Sequence, residues 1–133
     1  MKTIIEVVKE LSKMACVGRT NEEAIAAAEE QLHIRFAEEY RAYLAEFGAV
    51  SARRLELTGI ISIEYCNVIS ATNTAWELNP QVPHTMYVIE NTYIDGVYVW
   101  QDTAGVIYQT APQTEPKQIA SSLCEYIMER TKR

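Results

Sequence analysis

Residues 20–50 read TNEEAIAAAEEQLHIRFAEEYRAYLAEFGAV, and the spacing of apolar side chains in this stretch decides the fold. Thr20 and Glu23 stand at capping-box spacing, the threonine hydroxyl placed to accept from the third helical amide and the glutamate to reach back to the cap. A helix is expected to start there. Ile25, Ala28 and Leu32 recur at i, i+3 and i+7, opposite Glu22, Glu29 and Glu30, the one-sided pattern of a surface helix. After the corner His33-Ile34-Arg35-Phe36 the phase restarts. Tyr40, Tyr43, Leu44 and Phe47 then share an inward face, and Gly48 stands where a left-handed residue ends a helix. His33 suits a left-handed corner position, which histidine tolerates better than most residues.

Working outward, Ile4, Val8, Leu11 and Ala15 form one stripe and predict a first helix over 3–16, with Gly18 as its stop. Beyond Gly48 the period changes to two. Leu55 and Leu57 alternate with Arg54, Glu56 and Thr58 ahead of Gly59 and the apolar Ile60-Ile61-Ser62-Ile63, which reads as a strand or a bent pair. Asn67 caps a short helix to Trp76, with Val68, Ala71 and Ala75 at helical spacing. Asn79-Pro80 ends it, and Pro83 keeps the next segment extended. Three β runs follow, 86–90, 97–101 and 106–109, linked by Asp95-Gly96 and Ala104-Gly105, whose residues tolerate positive φ. A helix over 115–130, entered through Pro116, closes the chain with Ile119, Ala120, Leu123, Ile127 and Met128 inward. The expectation is an α+β fold in a single domain over 1–133. An antiparallel-rich sheet carries N-terminal helices, one inserted helix and a C-terminal helix packed on it. Leu44, Phe47, Leu123 and Ile127 are expected in the core.

The composition bounds what such a domain does. A chain of 133 residues, 48% hydrophobic and 23% charged, is ordinary globular material for one core. Glu6 interrupts what would be the apolar part of a signal peptide, and no eighteen apolar residues run together, so a cytoplasmic protein is expected. Cys16, Cys66 and Cys124 are an odd number without metal-type spacing and read as buried free thiols. The net charge is −6. Between Glu22 and Glu46 seven glutamates face only Arg35 and Arg41, which opposes binding of nucleic acid or an anionic membrane and suits a basic partner. The same glutamates also serve as a plain solvated face.

For catalysis the residues offer little. His33 and His84 have no histidine or cysteine at ligand spacing, no G-x-S-x-G elbow occurs, and the five glycines form no phosphate-cradling loop. No catalytic residue, no metal and no cofactor is expected, and the chain does not read as an enzyme.

Binding is the better reading, and it points to the meander. Side chains alternate along a strand, so Val97 and Val99 share one sheet face while Tyr98 and Trp100 share the other. If the valines meet the helices, Tyr98 and Trp100, joined by Tyr87 and Tyr108, lie on an open face rimmed by Glu90, Asp95 and Asp102. Tyrosine and tryptophan are enriched at the energetic centres of protein interfaces. Alternatively the aromatics are core, or helices cover both faces. A pocket between the sheet and the helix led by Asn67 is a further candidate, for a small ligand.

The order of these pieces also carries a resemblance. The acidic helix start, the A-E-x-x-L of Ala28 to Leu32, the corner and E-E-Y-R-A-Y-L-A-E-F-G resemble the N-terminal signature of the SUKH superfamily, which includes the fungal cell-wall-synthesis regulator domain and many bacterial immunity proteins. Downstream, Leu55-Glu56-Leu57-Thr58-Gly59, the helix over 67–77, Asp95-Gly96-Val97-Tyr98 and residues 120–127 are similar to later family segments. The family's glycine and Leu-Pro across the helix corner are here His33, Phe36 and Ala37. The resemblance implies an immunity-type protein that binds and neutralises a cognate secreted toxin domain without chemistry of its own. Its alternative is a regulatory or scaffolding module of the cell-wall-synthesis-regulator type.

Overall fold

In the computed structural model, which describes residues 2–132, the two helices of the opening stretch are α2 (Glu22–Leu32) and α3 (Glu38–Phe47). Before them come α1 (Ile4–Lys9) and β1 (Ala15–Cys16). After them come β2 (Val50–Ala52), β3 (Leu55–Glu56), a 3-10 turn (Glu64–Cys66) and α4 (Val68–Leu78). The chain closes with β4 (Met86–Asn91), β5 (Tyr98–Asp102), β6 (Ile107–Thr110), β7 (Lys117–Ala120) and α5 (Leu123–Thr131). Two antiparallel sheets form, ordered β1-β2-β3 and β4-β5-β6-β7. The fold is α+β, as the alternation of helical and period-two patterns predicts.

The helix corner is built by substitutes for the missing glycine and proline. His33 ends α2 in the left-handed region at φ 56, ψ 39. Ala37 begins α3 without a side-chain cap. The corner amides are satisfied from elsewhere, Phe36 N by Glu29 Oε2 at 2.8 Å and Ala37 N by the Tyr87 hydroxyl at 3.0 Å. These bonds fix the start of α3 through tertiary contacts rather than a preset dihedral. At the other end of α2 the cap is Asn21, whose Oδ1 accepts from Ala24 N at 2.8 Å. It is not Thr20, which packs beside Gly48. Asparagine caps at least as well as threonine, so the helix starts one residue later than the spacing suggests.

Three other expectations need correction. The helix over 3–16 is only α1, which a Thr3–Glu6 capping box opens. The chain then turns through Lys13 at φ 56 so that β1 can pair with β2, Cys16 opposite Val50. The closing helix over 115–130 is a strand followed by a helix, because β7 satisfies the edge of β6. α5 begins at Ser122, whose hydroxyl accepts from Glu125 N at 3.0 Å. Ile119 and Met128, expected inward, are 36% and 50% exposed. The thiols are all free, but only Cys66 is buried, Cys124 is partly so and Cys16 is exposed.

Leu44, Phe47, Leu123 and Ile127 are core residues, as the helical phasing predicts. Around them Phe36, Tyr40, Tyr43 and Tyr87 form a ring cluster, Phe36 meeting Tyr40 and Tyr87 edge to face at 5.1 and 4.8 Å. Burial pushes the hydroxyls of Tyr40, Tyr43 and Tyr87 well above the usual tyrosine range, so they stay neutral and bond inside. Tyr40 meets the Thr58 hydroxyl at 2.9 Å, Tyr43 donates to Thr58 O at 2.9 Å, and Tyr87 donates to Gln101 Oε1 at 2.7 Å. Tyr43 also accepts from Val50 N at 2.9 Å and the Thr58 hydroxyl donates to Val88 O at 2.8 Å, so both sheets are tied to α3.

Candidate functional site

The meander residues expected on an open face are enclosed. Cross-strand pairs put Tyr87 with Gln101 and Ile107 on one face, and Val88 with Trp100 and Tyr108 on the other. The first face meets α3, where Tyr87 packs on Phe36 and Tyr40 and Gln101 Nε2 donates to Glu39 at 2.9 Å. The second is covered beside α4: Tyr98 shares a cleft with Ser70, Ala71 and Thr74, and Thr72 Oγ1 accepts from Val88 N at 3.0 Å. Trp100 and Tyr87 have no exposed surface and Tyr98 has 7%. The valine-in, aromatic-out reading therefore fails, because helices cover both sides of these strands.

The expected acidic rim is dispersed as well. Glu90 is buried; it accepts from Glu56 N at 2.9 Å, bonds Tyr126, and pairs with Arg130 at 3.4 Å. Asp102 organises its own turn, accepting from Val106 N at 3.0 Å and from the Tyr108 hydroxyl at 3.2 Å, with Tyr108 half-buried. Asp95 alone of the named acids is exposed, in a left-handed position at the β4–β5 turn.

A different surface carries the exposed aromatic area. Tyr65 in the 3-10 turn and Tyr93 in the β4–β5 turn are 55% and 58% exposed, and their rings meet edge to face at 6.2 Å. Ile63, Ile94 and Val17 are 46%, 66% and 57% exposed. Tyr65 stands between two depressions. One, of about 230 Å³, runs past Cys16, Val17, Glu56, Ile61 and Ile63; the other, of about 350 Å³, past Glu64, Ala71, Asn91 and Tyr98. Clustered large apolar residues that a protein leaves in water mark interaction sites.

Both turns that present the rings are held by local hydrogen bonds. Asn91 Oδ1 accepts from Tyr93 N at 2.8 Å, and the Thr92 hydroxyl donates to Val97 O at 2.8 Å. Under Tyr65, Cys66 N bonds Ile63 O at 3.1 Å, Asn67 N bonds Glu64 O at 3.1 Å, and Asn67 Nδ2 bonds Ile61 O at 2.9 Å. Rings so placed lose little freedom on binding. Charge at this surface is negative. The Tyr93 hydroxyl is pushed up to about 12, first by partial desolvation and then by the Glu56 carboxylate. Desolvation, and after it the same carboxylate, raises the Cys66 thiol.

Four of the seven glutamates of the acidic helical half have partners within the chain. Glu29 pairs with Arg41, Glu22 lies 3.5 Å from Arg41, and Glu46 lies 3.9 Å from Arg19. Glu39 accepts from the amides of Leu123 and Cys124 at 2.6 and 3.0 Å, capping α5.

Sequence reasoning missed Tyr65, Tyr93 and Ile63 because they lie in turns and a three-residue 3-10 segment, which have no apolar periodicity. Their signal is large apolar residues next to cap and turn residues, Tyr65 two before the Asn67 cap and Tyr93 two before Asp95-Gly96, where the backbone cannot turn them into the core.

Among the described residues no group of three or more His, Cys, Asp or Glu side chains is placed to hold a metal ion, and no helix is long and apolar enough to cross a membrane. No curated protein matches the chain significantly. A crystal structure of a protein from Pseudomonas syringae pv. tomato is similar over 92% of each chain, with a TM-score of 0.68 and 20% identity, a likeness of fold. The family model SUKH_5, described as SMI1-KNR4 cell-wall, matches residues 1–132. The helix corner, the two small sheets and the inserted helix led by Asn67 are therefore those of a SUKH-family domain, and the chain belongs to that family.

Proposed function

We propose that this SUKH-family chain is an immunity-type protein: it binds a cognate secreted toxin domain in the cytoplasm and blocks it without catalysis. The observation that carries the binding reading is the pre-organised pair Tyr65 and Tyr93, left in water beside Ile63 and Ile94. Aromatic anchors on a fixed backbone, with the Glu56 carboxylate in the groove beside Tyr65, suit a basic protein surface. The partner is therefore a basic toxin domain, held on the Tyr65 ridge rather than on the large sheet. The family model's cell-wall description supports a second reading, a regulatory scaffold that engages another cytoplasmic protein through the same ridge.

The test is co-expression with the toxin domain encoded in the neighbouring reading frame. Wild-type protein is expected to keep cells alive. The double variant Tyr65→Ala/Tyr93→Ala is expected to fold, since both rings are mostly exposed, and to lose protection. Each truncation should cost about 2 kcal/mol of binding, read mainly as faster dissociation. Absence of a toxin gene, or no protection by the wild type, would favour the scaffold.

A further inference from the structure

We infer that the Tyr65 ridge is an arginine slot: the guanidinium of a partner's arginine lies against the Tyr65 ring, which Tyr93 supports edge to face, with its charge on the Glu56 carboxylate. This rests on the protein-binding reading above and names the chemistry the site selects. The groove beside Tyr65, at about 230 Å³, is smaller than the roughly 300–1,000 Å³ of small-molecule sites and fits a single long side chain. Most of its wall is apolar, including Val17, Ile61 and Ile63, which accommodates a methylene stem. Glu56 lines the same groove as Tyr65, and among the described residues it has no cationic partner within ion-pair distance. A part-exposed carboxylate without a cationic partner, in one groove with the exposed Tyr65 ring, supplies both attractions that a guanidinium uses: a planar face and a bidentate acceptor.

Arginine fits better than lysine, because a compact, strongly hydrated ammonium stacks poorly on a ring face. A second copy of this chain is the competing occupant, since Arg19 has 81% of its side chain exposed. The net charge of −6 on each copy opposes that association.

The experiment is an aromatic-region NMR titration of the full chain with N-acetyl-arginine amide, and separately with N-acetyl-citrulline amide, the neutral analogue of the same shape. Tyr65 and Tyr93 resonances are expected to move with the arginine compound. Affinity is expected to be about tenfold lower for citrulline and for Glu56→Gln, the weakening that follows when a charge-assisted contact becomes a neutral one. Unchanged Trp100 resonances in Glu56→Gln show that its fold is intact. Equal affinity for citrulline, shifts confined to the α3 rings Tyr40, Tyr43 and Phe47, or Tyr65 shifts that follow protein concentration without added ligand would each overturn the slot. If the slot fails while wild-type protein still protects cells through Tyr65 and Tyr93, the immunity reading stands alone. If arginine binds as described but no toxin is neutralised, the slot survives and the immunity reading falls.

Discussion

Trp100→Ala should lower the free energy of unfolding by about 3–5 kcal/mol, the cost of removing a large aromatic from a packed core. Trp100 is fully buried between its cross-strand neighbours Val88 and Tyr108. Its indole Nε1 donates to Thr110 Oγ1 at 2.9 Å. Truncation leaves a cavity that the two ladders around β5 prevent from closing, and it strips the buried Thr110 hydroxyl of its donor. Urea denaturation of the variant measures the loss. A shift below about 1 kcal/mol would mean that the indole faces solvent and that the large sheet has an open side after all.

Gly59→Ala is expected to be costly for a different reason. A Cβ there would stand 1.9 Å from Gly48 O and 2.7 Å from the Ala49 Cα and Cβ. Gly59 is not among the positive-φ residues, so alanine is conformationally permitted and the whole cost is steric. The atoms in the way are mostly backbone, and that backbone is committed: Ile60 N bonds Gly48 O at 3.0 Å, Gly59 N bonds Cys66 O at 2.9 Å, and Val68 N bonds Gly59 O at 2.9 Å. Overpacking against a rigid wall costs about 1–3 kcal/mol and occasionally more, and this site belongs at the upper end. The displaced segment carries the turn that presents Tyr65. Partner affinity should therefore fall even under conditions where the variant remains folded, whereas conservative changes elsewhere in the core should spare it. Thermal unfolding and binding measured on the same sample check both effects. A variant that melts and binds like the wild type would show that the Gly48–Gly59 approach is looser than the structure has it.

The elements legible in the sequence were those with strong local signals. The stripes of α2 and α3, the left-handed His33, the Asn67 cap and the β4–β5–β6 meander stand where periodicity and turn chemistry put them. The departures arise where tertiary pairing outweighs local pattern. β1 exists because Cys16 pairs with Val50, a contact no window around Cys16 can show. β7 exists because β6 needs a partner, even though Pro116 ahead of Ile119, Ala120 and Leu123 looks like a helix entrance. In that case the capping pair Ser122 and Glu125 was a usable and better signal. The functional surface was the least legible, for a topological reason. Alternation along β5 correctly divides valines from aromatics, but it does not say how many faces of a sheet are covered. α4 and α3 cover both, and the same residue types that mark an interface then mark a core. Glu90 illustrates the point: a carboxylate that looks like rim charge is a buried acceptor for Glu56 N and Tyr126. The exposed aromatics of the proposed binding surface, Tyr65 and Tyr93, lie in turns, where periodicity carries no information.

In the proposed function the Tyr65 ridge, and not the four-stranded sheet or the acidic helices, contacts the toxin domain. Amide hydrogen exchange of the free and toxin-bound protein tests this most directly. Slowed exchange is predicted over 61–66 and 92–96 on complex formation, with β5 unchanged because its amides already sit between two ladder partners. Protection appearing instead along α2 and α3, with 61–66 exchanging as in the free protein, would contradict the account.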